Sequence, residues 1–313
     1  MALVVPTVLL AQFDGPVGTE GCQAIHCDNP AIIGWATSCE VTRGYQNIAI
    51  RGELASYGIP ENAIGKVTES TMDVVSLGDG GIAILTFDIP IRNGDGYDFA
   101  VFENSFDGLY LELAFVGVSS DGNHWVRFPS ISNTQTDTQI DGYGTLDATR
   151  IHNLAGKYRA GWGTPFDLEV LEDDENLDKN NIRYVKLIDV IGTIDPQYAS
   201  YDVNGNIIND PYPTNFASGG FDLAGVAVMN DWKPNSIPAA ELLKYSIYPN
   251  PCVEYVWVST PKAGTVLSLY NVLGTLLWQG TAFAGTAKIE MQNYPSGFYI
   301  FSIGNYKVKI IKQ

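Results

Sequence analysis

Almost nowhere does this chain repeat its apolar residues every three or four positions. They come instead in short runs with a tendency to alternate, each closed by Gly, Pro, Asn or Asp. That pattern belongs to strands joined by tight turns. Val74–Leu77 and Ile82–Phe87 flank the glycine-rich turn Gly78-Asp79-Gly80-Gly81, and strands are predicted again at Tyr97–Phe102 and Leu109–Ser119. Asp121-Gly122 before Trp125–Phe128 predicts a hairpin. Two more strands are predicted at Ile182–Val190 and Phe221–Met229, and helix is expected only at Asn29–Ala36 and Ala239–Leu243. Residues 129–180 and 192–220 are polar and irregular, too long to be simple connectors.

The chain changes character near residue 233. Lys233-Pro234-Asn235-Ser236-Ile237-Pro238 reads as a linker, and about seven strand-like runs follow, spaced by Pro, Gly and Asn. The expected class is therefore all-β: a larger β-sandwich, then a small one. The divisions fall at 1–11, a signal-peptide remnant, 12–232, the main domain, 233–246, the linker, and 247–313, the terminal sandwich. Ala2–Leu10 is apolar and suits the hydrophobic part of a signal peptide cut before Gln12. Beyond the first dozen residues, no apolar stretch is long enough to predict a transmembrane segment.

Charge is divided unevenly. From Lys244 onward six lysines stand against Glu254 and Glu290, a balance of +4, which leaves −21 on the preceding residues for a whole-chain net of −17. So acidic a surface repels phosphate backbones and argues against nucleic-acid partners. It suits cations and solubility outside the cell.

Residues 247–313 resemble the type A sorting domain of the type IX secretion system. The resemblance rests on Ile247-Tyr248-Pro249-Asn250-Pro251, Leu269-Tyr270-Asn271-Val272-Leu273-Gly274, Tyr294-Pro295-Ser296-Gly297-Phe298-Tyr299 and the closing Lys307-Val308-Lys309-Ile310-Ile311-Lys312. It implies an immunoglobulin-like sandwich, passage through the periplasm, the type IX secretion machinery as partner, and delivery to the medium or the outer-membrane surface.

Two segments of the main domain, Val118–Trp125 and Ile182–Leu187, with the later Gly219–Val226, resemble strands of galactose-binding-like jelly rolls of the discoidin type. That resemblance implies an eight-stranded jelly roll with ligands at loops on one end. More narrowly, Val75–Gly81, Asp98–Asn104, Leu111–Val116, Asn153–Tyr158 and Gly163–Leu168 resemble a family of Bacteroidetes cell-surface proteins with no assigned activity. Distant relatives of that pattern are similar to surface proteins encoded with vitamin B12 uptake receptors, which implies capture of a small ligand.

Candidate site residues come from the outliers. Glu112 interrupts an apolar run, where an unpaired carboxylate is costly to bury, so it must face solvent, a cation or a ligand. Glu103 closes the Tyr97 run, and Asp98 and Asp222 also sit among apolar residues. Tyr158, Trp162, Tyr212 and Phe216 fall in the two polar excursions beside acids such as Asp167, as sugar or planar-ligand sites require. The same rings could equally pin long loops to the sandwich. Asp202, Asn204, Asn206 and Asp210 place oxygen side chains around Gly205, which fits either a calcium ion held as a structural cofactor or an ordinary Asx-rich turn.

Cys22, Cys27 and Cys39 lie close in sequence. An exported protein would pair two of them in a disulfide, whereas with His26 they could hold zinc. No Gly-x-Ser-x-Gly, His-Glu-x-x-His or phosphate loop is present. The expected function is capture of a glycan or other small ligand by loops 141–168 and 192–220. A glycan-active hydrolase and a structural or adhesive surface protein are the alternatives.

Overall fold

In the computed structural model the described residues are 13–232, 246–259, 264–271, 274–282, 286–303 and 306–313. The segment predicted as a signal peptide, most of the predicted linker and the helix expected at Ala239–Leu243 lie outside them. The chain divides into two compact units, Met1–Pro234 and Asn235–Gln313.

The first unit contains β1 (Ile25–His26), β2 (Ile32–Trp35), β3 (Ser38–Thr42), β4 (Val75–Ser76), β5 (Ile82–Ile91), β6 (Tyr97–Glu103) and β7 (Ala114–Ser119). It continues with β8 (Val126–Arg127), β9 (Ile131–Ser132), β10 (Ile151–His152), β11 (Trp162–Phe166), β12 (Ile182–Asp189) and β13 (Asp222–Trp232). One sheet runs β1-β11-β6-β13-β2, with β4 added on β13; the other runs β3-β5-β12-β7-β8; and β9 pairs with β10. All named pairs in this unit are antiparallel, including the predicted hairpin, where Val118 faces Val126 and Gly117 faces Arg127.

The core lies between the two larger sheets. Phe99 and Val101 on β6 and Val226 and Val228 on β13 meet Leu85 on β5, Val116 and Val118 on β7, and Val185 and Leu187 on β12. Alternation explains the choice, because these residues share one face of each strand. The opposite faces are also covered. Ala100, Phe102, Ala227 and Met229 pack with Val67 and Val74, while Phe115 packs with Leu146, Leu154 and Ile208 from the long excursions. Strands buried on both sides read as nearly continuous apolar runs. This is why the residues around Glu112 show no polar face.

Three local expectations are corrected. Asn29–Ala36 is not helical, since Ile32–Trp35 is a strand paired with β13, Trp35 facing Ala227 and Gly34 facing Val228. Its two consecutive isoleucines and Trp suit a pleated, half-buried edge better than a helix. The strand expected from Leu109 begins only at Ala114. Asp107 Oδ1 accepts hydrogen bonds from the amides of Leu109 and Tyr110, a local turn that competes with sheet pairing. Finally, Cys22, Cys27, Cys39 and Cys252 are all free thiols. Cys39 packs in the inter-sheet core and Cys27 in the cluster on the far face of the β6–β13 sheet, so those two point into different interiors.

The discoidin resemblance implies eight strands, whereas the observed larger sheets hold six and five. The second unit holds β14 (Ser246–Tyr248), β15 (Tyr255–Ser259), β16 (Val266–Asn271), β17 (Leu276–Thr281), β18 (Thr286–Glu290), β19 (Gly297–Ile303) and β20 (Tyr306–Lys312). A three-stranded sheet, β14-β15-β18, and a four-stranded one, β17-β16-β19-β20, share a core of Val256, Val258, Leu267, Leu269, Phe301 and Ile310. Both units are all-β sandwiches.

Candidate functional site

One end of the larger sandwich gathers carboxyl groups. β6 ends at Glu103, which stands opposite Leu223, the second residue of β13; Asp222, the first, pairs with Ser76 of β4. In the other sheet β12 ends at Asp189, opposite Ala114 at the start of β7. Antiparallel pairing therefore delivers Glu103, Asp189 and Asp222 to the same end, and the segment leading into β7 adds Glu112. Asp210 arrives from the second excursion, its Oδ2 accepting a 2.9 Å hydrogen bond from the Leu113 amide.

All five acids are buried, none more than 6% exposed. Three, like Asp210, accept hydrogen bonds on at least one oxygen. Asp189 accepts from the amides of Gly80 at 2.9 Å and Phe221 at 2.6 Å, and Glu103 accepts from the Ser105 amide at 2.7 Å. Asp222 accepts from the Ser76 hydroxyl and, at 3.1 Å, from the Asn104 side-chain amide. The other two are incomplete: Glu112 Oε1 and Asp210 Oδ1 are buried with no hydrogen-bond partner.

Burial pushes Glu103, Glu112, Asp189 and Asp210 well above the usual carboxyl range. For Glu112 desolvation acts first, and the charges of Asp222, Glu103, Asp210 and Asp189 add to it. Asp222 is raised to about 6 by burial, with the Ser76 and Asn104 hydrogen bonds and the charge of Arg43 pulling the other way. Arg43 spends its guanidinium on the carbonyls of Tyr57, Gly58 and Ser76. None of the ion pairs among the described residues includes any of the five acids.

Two of these acids, Glu112 and Asp222, line a cavity of about 470 Å³ together with Asn104, Phe106, Tyr110, Tyr143, Phe216 and Ser218. Its volume is that of a small-molecule site. The rim joins three loops. Phe106 and Tyr110 come from the β6–β7 connection, Tyr143 from the first long excursion and Phe216 from the second. Gly142 lets the excursions meet, for a Cβ there would stand 2.3 Å from the Pro213 carbonyl oxygen. The Tyr143 and Phe216 rings then lie 5.5 Å apart between centroids. Phe106 and Tyr143 are 69% and 78% exposed, a large apolar surface left open to solvent at the mouth.

The structure distributes the remaining candidates elsewhere. Tyr158 and Asp167 line a second cavity of about 260 Å³ together with Asp14, His152 and Lys157. There Asp14 is already engaged, accepting from the Tyr158 hydroxyl and, at 2.5 Å, from the Lys157 ammonium. Asp167 also caps a short 3-10 turn through the Glu169 amide. Trp162 packs edge-on against His26, and the Tyr212 hydroxyl donates to Asn47 Oδ1 at 2.8 Å. Trp162 thus packs across the β1–β11 pair, while Tyr212 ties the second excursion to Asn47.

Asp202 closes its own turn, accepting from the Asn204 and Asn206 amides, the Asn206 side chain and the Ser132 amide. Asp210, expected beside it around one cation, turns instead toward Leu113. A separate group of metal-competent atoms belongs to His26, Cys27 and Asp28, all within 4.8 Å of one another, with neither Cys22 nor Cys39 among them. Asn104, Phe106, Tyr110 and Tyr143 were not legible as site residues. Tyr143 carried a usable signal, as an aromatic between two glycines inside a polar excursion.

No curated protein matches the chain. Eight solved chains match it, among them a structure titled "Biofilm associated protein - BSP domain". That chain is 13% identical and the match covers 89% of this protein but only 52% of its own length, with a TM-score of 0.19, too low to bear on fold or function. Residues 246–313 match the family model described as "Secretion system C-terminal sorting domain". The second unit is therefore a type IX secretion sorting domain, and it directs the protein to the outside of the cell or to its surface.

Proposed function

We propose that the larger sandwich is an extracellular binding module whose ligand, a glycan or another small molecule, enters the cavity between Phe106, Tyr143 and Phe216. One observation carries this reading. A buried carboxyl oxygen of Glu112 lacks a hydrogen-bond partner in the lining of an open, aromatic-rimmed cavity. Native proteins satisfy nearly all buried polar atoms, so an unsatisfied one that lines an open cavity is a group that a ligand can complete. Exposed rings over a polar floor supply the apolar contact and the orienting groups that such ligands need.

The test is titration of the full chain against a panel of mono- and oligosaccharides and small cofactors, followed by calorimetry. Phe216→Ala and Tyr143→Ala should weaken any hit tenfold or more. Equal affinity in both variants would place binding elsewhere and defeat the reading.

A hydrolase reading draws on a different observation. Glu112 and Asp222 line the same cavity, and Glu112 is biased toward its protonated form, as a general acid requires. Release of reducing ends from a bound glycan, lost in Glu112→Gln, would favour it over simple capture.

A further inference from the structure

The charge balance of the cavity narrows the ligand class. Glu112 and Asp222 line it, and the charges of Glu103 and Asp210 act on Glu112, whereas the cation that acts on Asp222, Arg43, gives three hydrogen bonds to backbone carbonyls. Uncompensated buried carboxylates are strongly disfavoured, and a bound cation relieves that cost directly. The −21 charge of the residues before Lys244 further concentrates cations near this surface.

A bare metal ion fits the cavity poorly. Among the described residues, the group whose ligand atoms all approach within 4.8 Å is His26, Cys27 and Asp28, not these acids. A space of about 470 Å³ is also far larger than an ion needs. The rim supplies what an organic cation wants. Aromatic faces attract ammonium groups, and the protein's own cation–ring contacts use Phe115, Tyr158, Trp125, Tyr255 and Phe298, leaving the cavity rings without one among the described residues.

We propose that the cavity takes a small ligand bearing a protonated amine, its nitrogen against Glu112 and Asp222 and its carbon frame against Tyr110, Tyr143 and Phe216. This rests on the reading that the cavity is the binding site. It adds that charge, rather than hydroxyl pattern, selects the ligand.

The probes are glucosamine, ethanolamine and putrescine, each measured on the full chain beside the neutral N-acetylglucosamine and glucose, and beside calcium. At least one amine should bind ten times more tightly than either neutral sugar. Glu112→Gln should abolish that preference while keeping a cooperative melting curve, and Tyr143→Ala, at an exposed position, should weaken the amine without harming the fold. If a neutral sugar binds as well as the amines and still needs Phe216, the cavity reading stands and the charge selection is overturned. If calcium alone binds through Glu112, the organic cation is likewise overturned. If none of the probes binds, the amine proposal fails.

Discussion

Gly156 presses on the main chain of Glu112: a Cβ at this glycine would stand 1.8 Å from the Glu112 carbonyl oxygen. The same glycine has φ +87°, and its neighbour Ala155 exchanges backbone hydrogen bonds with Ala114 at the start of β7. The segment carrying Glu112 is thus clamped from behind at a position that admits no side chain. Gly156→Ala combines a left-handed backbone with a main-chain clash, and should cost about 2–4 kcal/mol of stability. Denaturant unfolding of the variant checks this, and a change below about 0.5 kcal/mol would show that the contact relaxes freely.

Asp222 and Glu112 share a cavity but not a role in stability. Asp222→Asn replaces an acceptor of the Ser76 hydroxyl and the Asn104 amide with a group that is half donor, and should destabilise by about 1–3 kcal/mol. Glu112→Gln replaces a carboxyl that burial biases toward its protonated form with a neutral amide, which removes the cost of holding that proton, and should be neutral or stabilising at about pH 8. Melting curves of the two variants at that pH should move in different directions.

Stability should fall as pH rises from about 5 to about 8. Burial raises the folded pKa values of Asp79 and Asp222 to about 6, above the unfolded carboxyl value, and raises those of Glu103, Glu112, Asp189 and Asp210 as well. In that window the native state holds more protons than the unfolded chain, so the stabilisation present at low pH is lost as pH climbs through the folded values. Asp222 alone contributes on the order of 3 kcal/mol to this change. His152 acts in the opposite sense, because burial lowers its pKa, but it is one group against six. Urea midpoints across the window measure the slope, and a midpoint that rises with pH would contradict it.

Deleting residues 246–313 removes the sorting domain and should leave the protein in the periplasm. Cell fractionation of the producing bacterium reads the outcome. Surface or medium levels equal to those of the full chain would show that export does not depend on this unit.

Local pattern was enough to read much of this protein. Turn residues closing short apolar runs announced an all-β chain, Asp121-Gly122 announced the β7–β8 hairpin, and the four motifs after residue 246 announced the sorting domain. Glu112 stood out for the same reason, as a carboxylate in a run that otherwise belongs in a core. Local pattern misled where a turn competed with a strand, as at Asp107, and where two isoleucines and a tryptophan fitted either a helix or an edge, as at Ile32–Trp35. What tertiary structure alone decided is the meeting of Glu112 with Asp210 and Asp222, and of Tyr143 with Phe216. Strand pairing across the chain, Leu223 beside Glu103 and Asp189 beside Ala114, sets the first meeting, and the close approach of the two excursions at Gly142 and Pro213 sets the second. Residues so far apart in sequence become neighbours only when distant strands take up their register, and a linear pattern of polar and apolar residues does not encode which end of which strand will lie beside another.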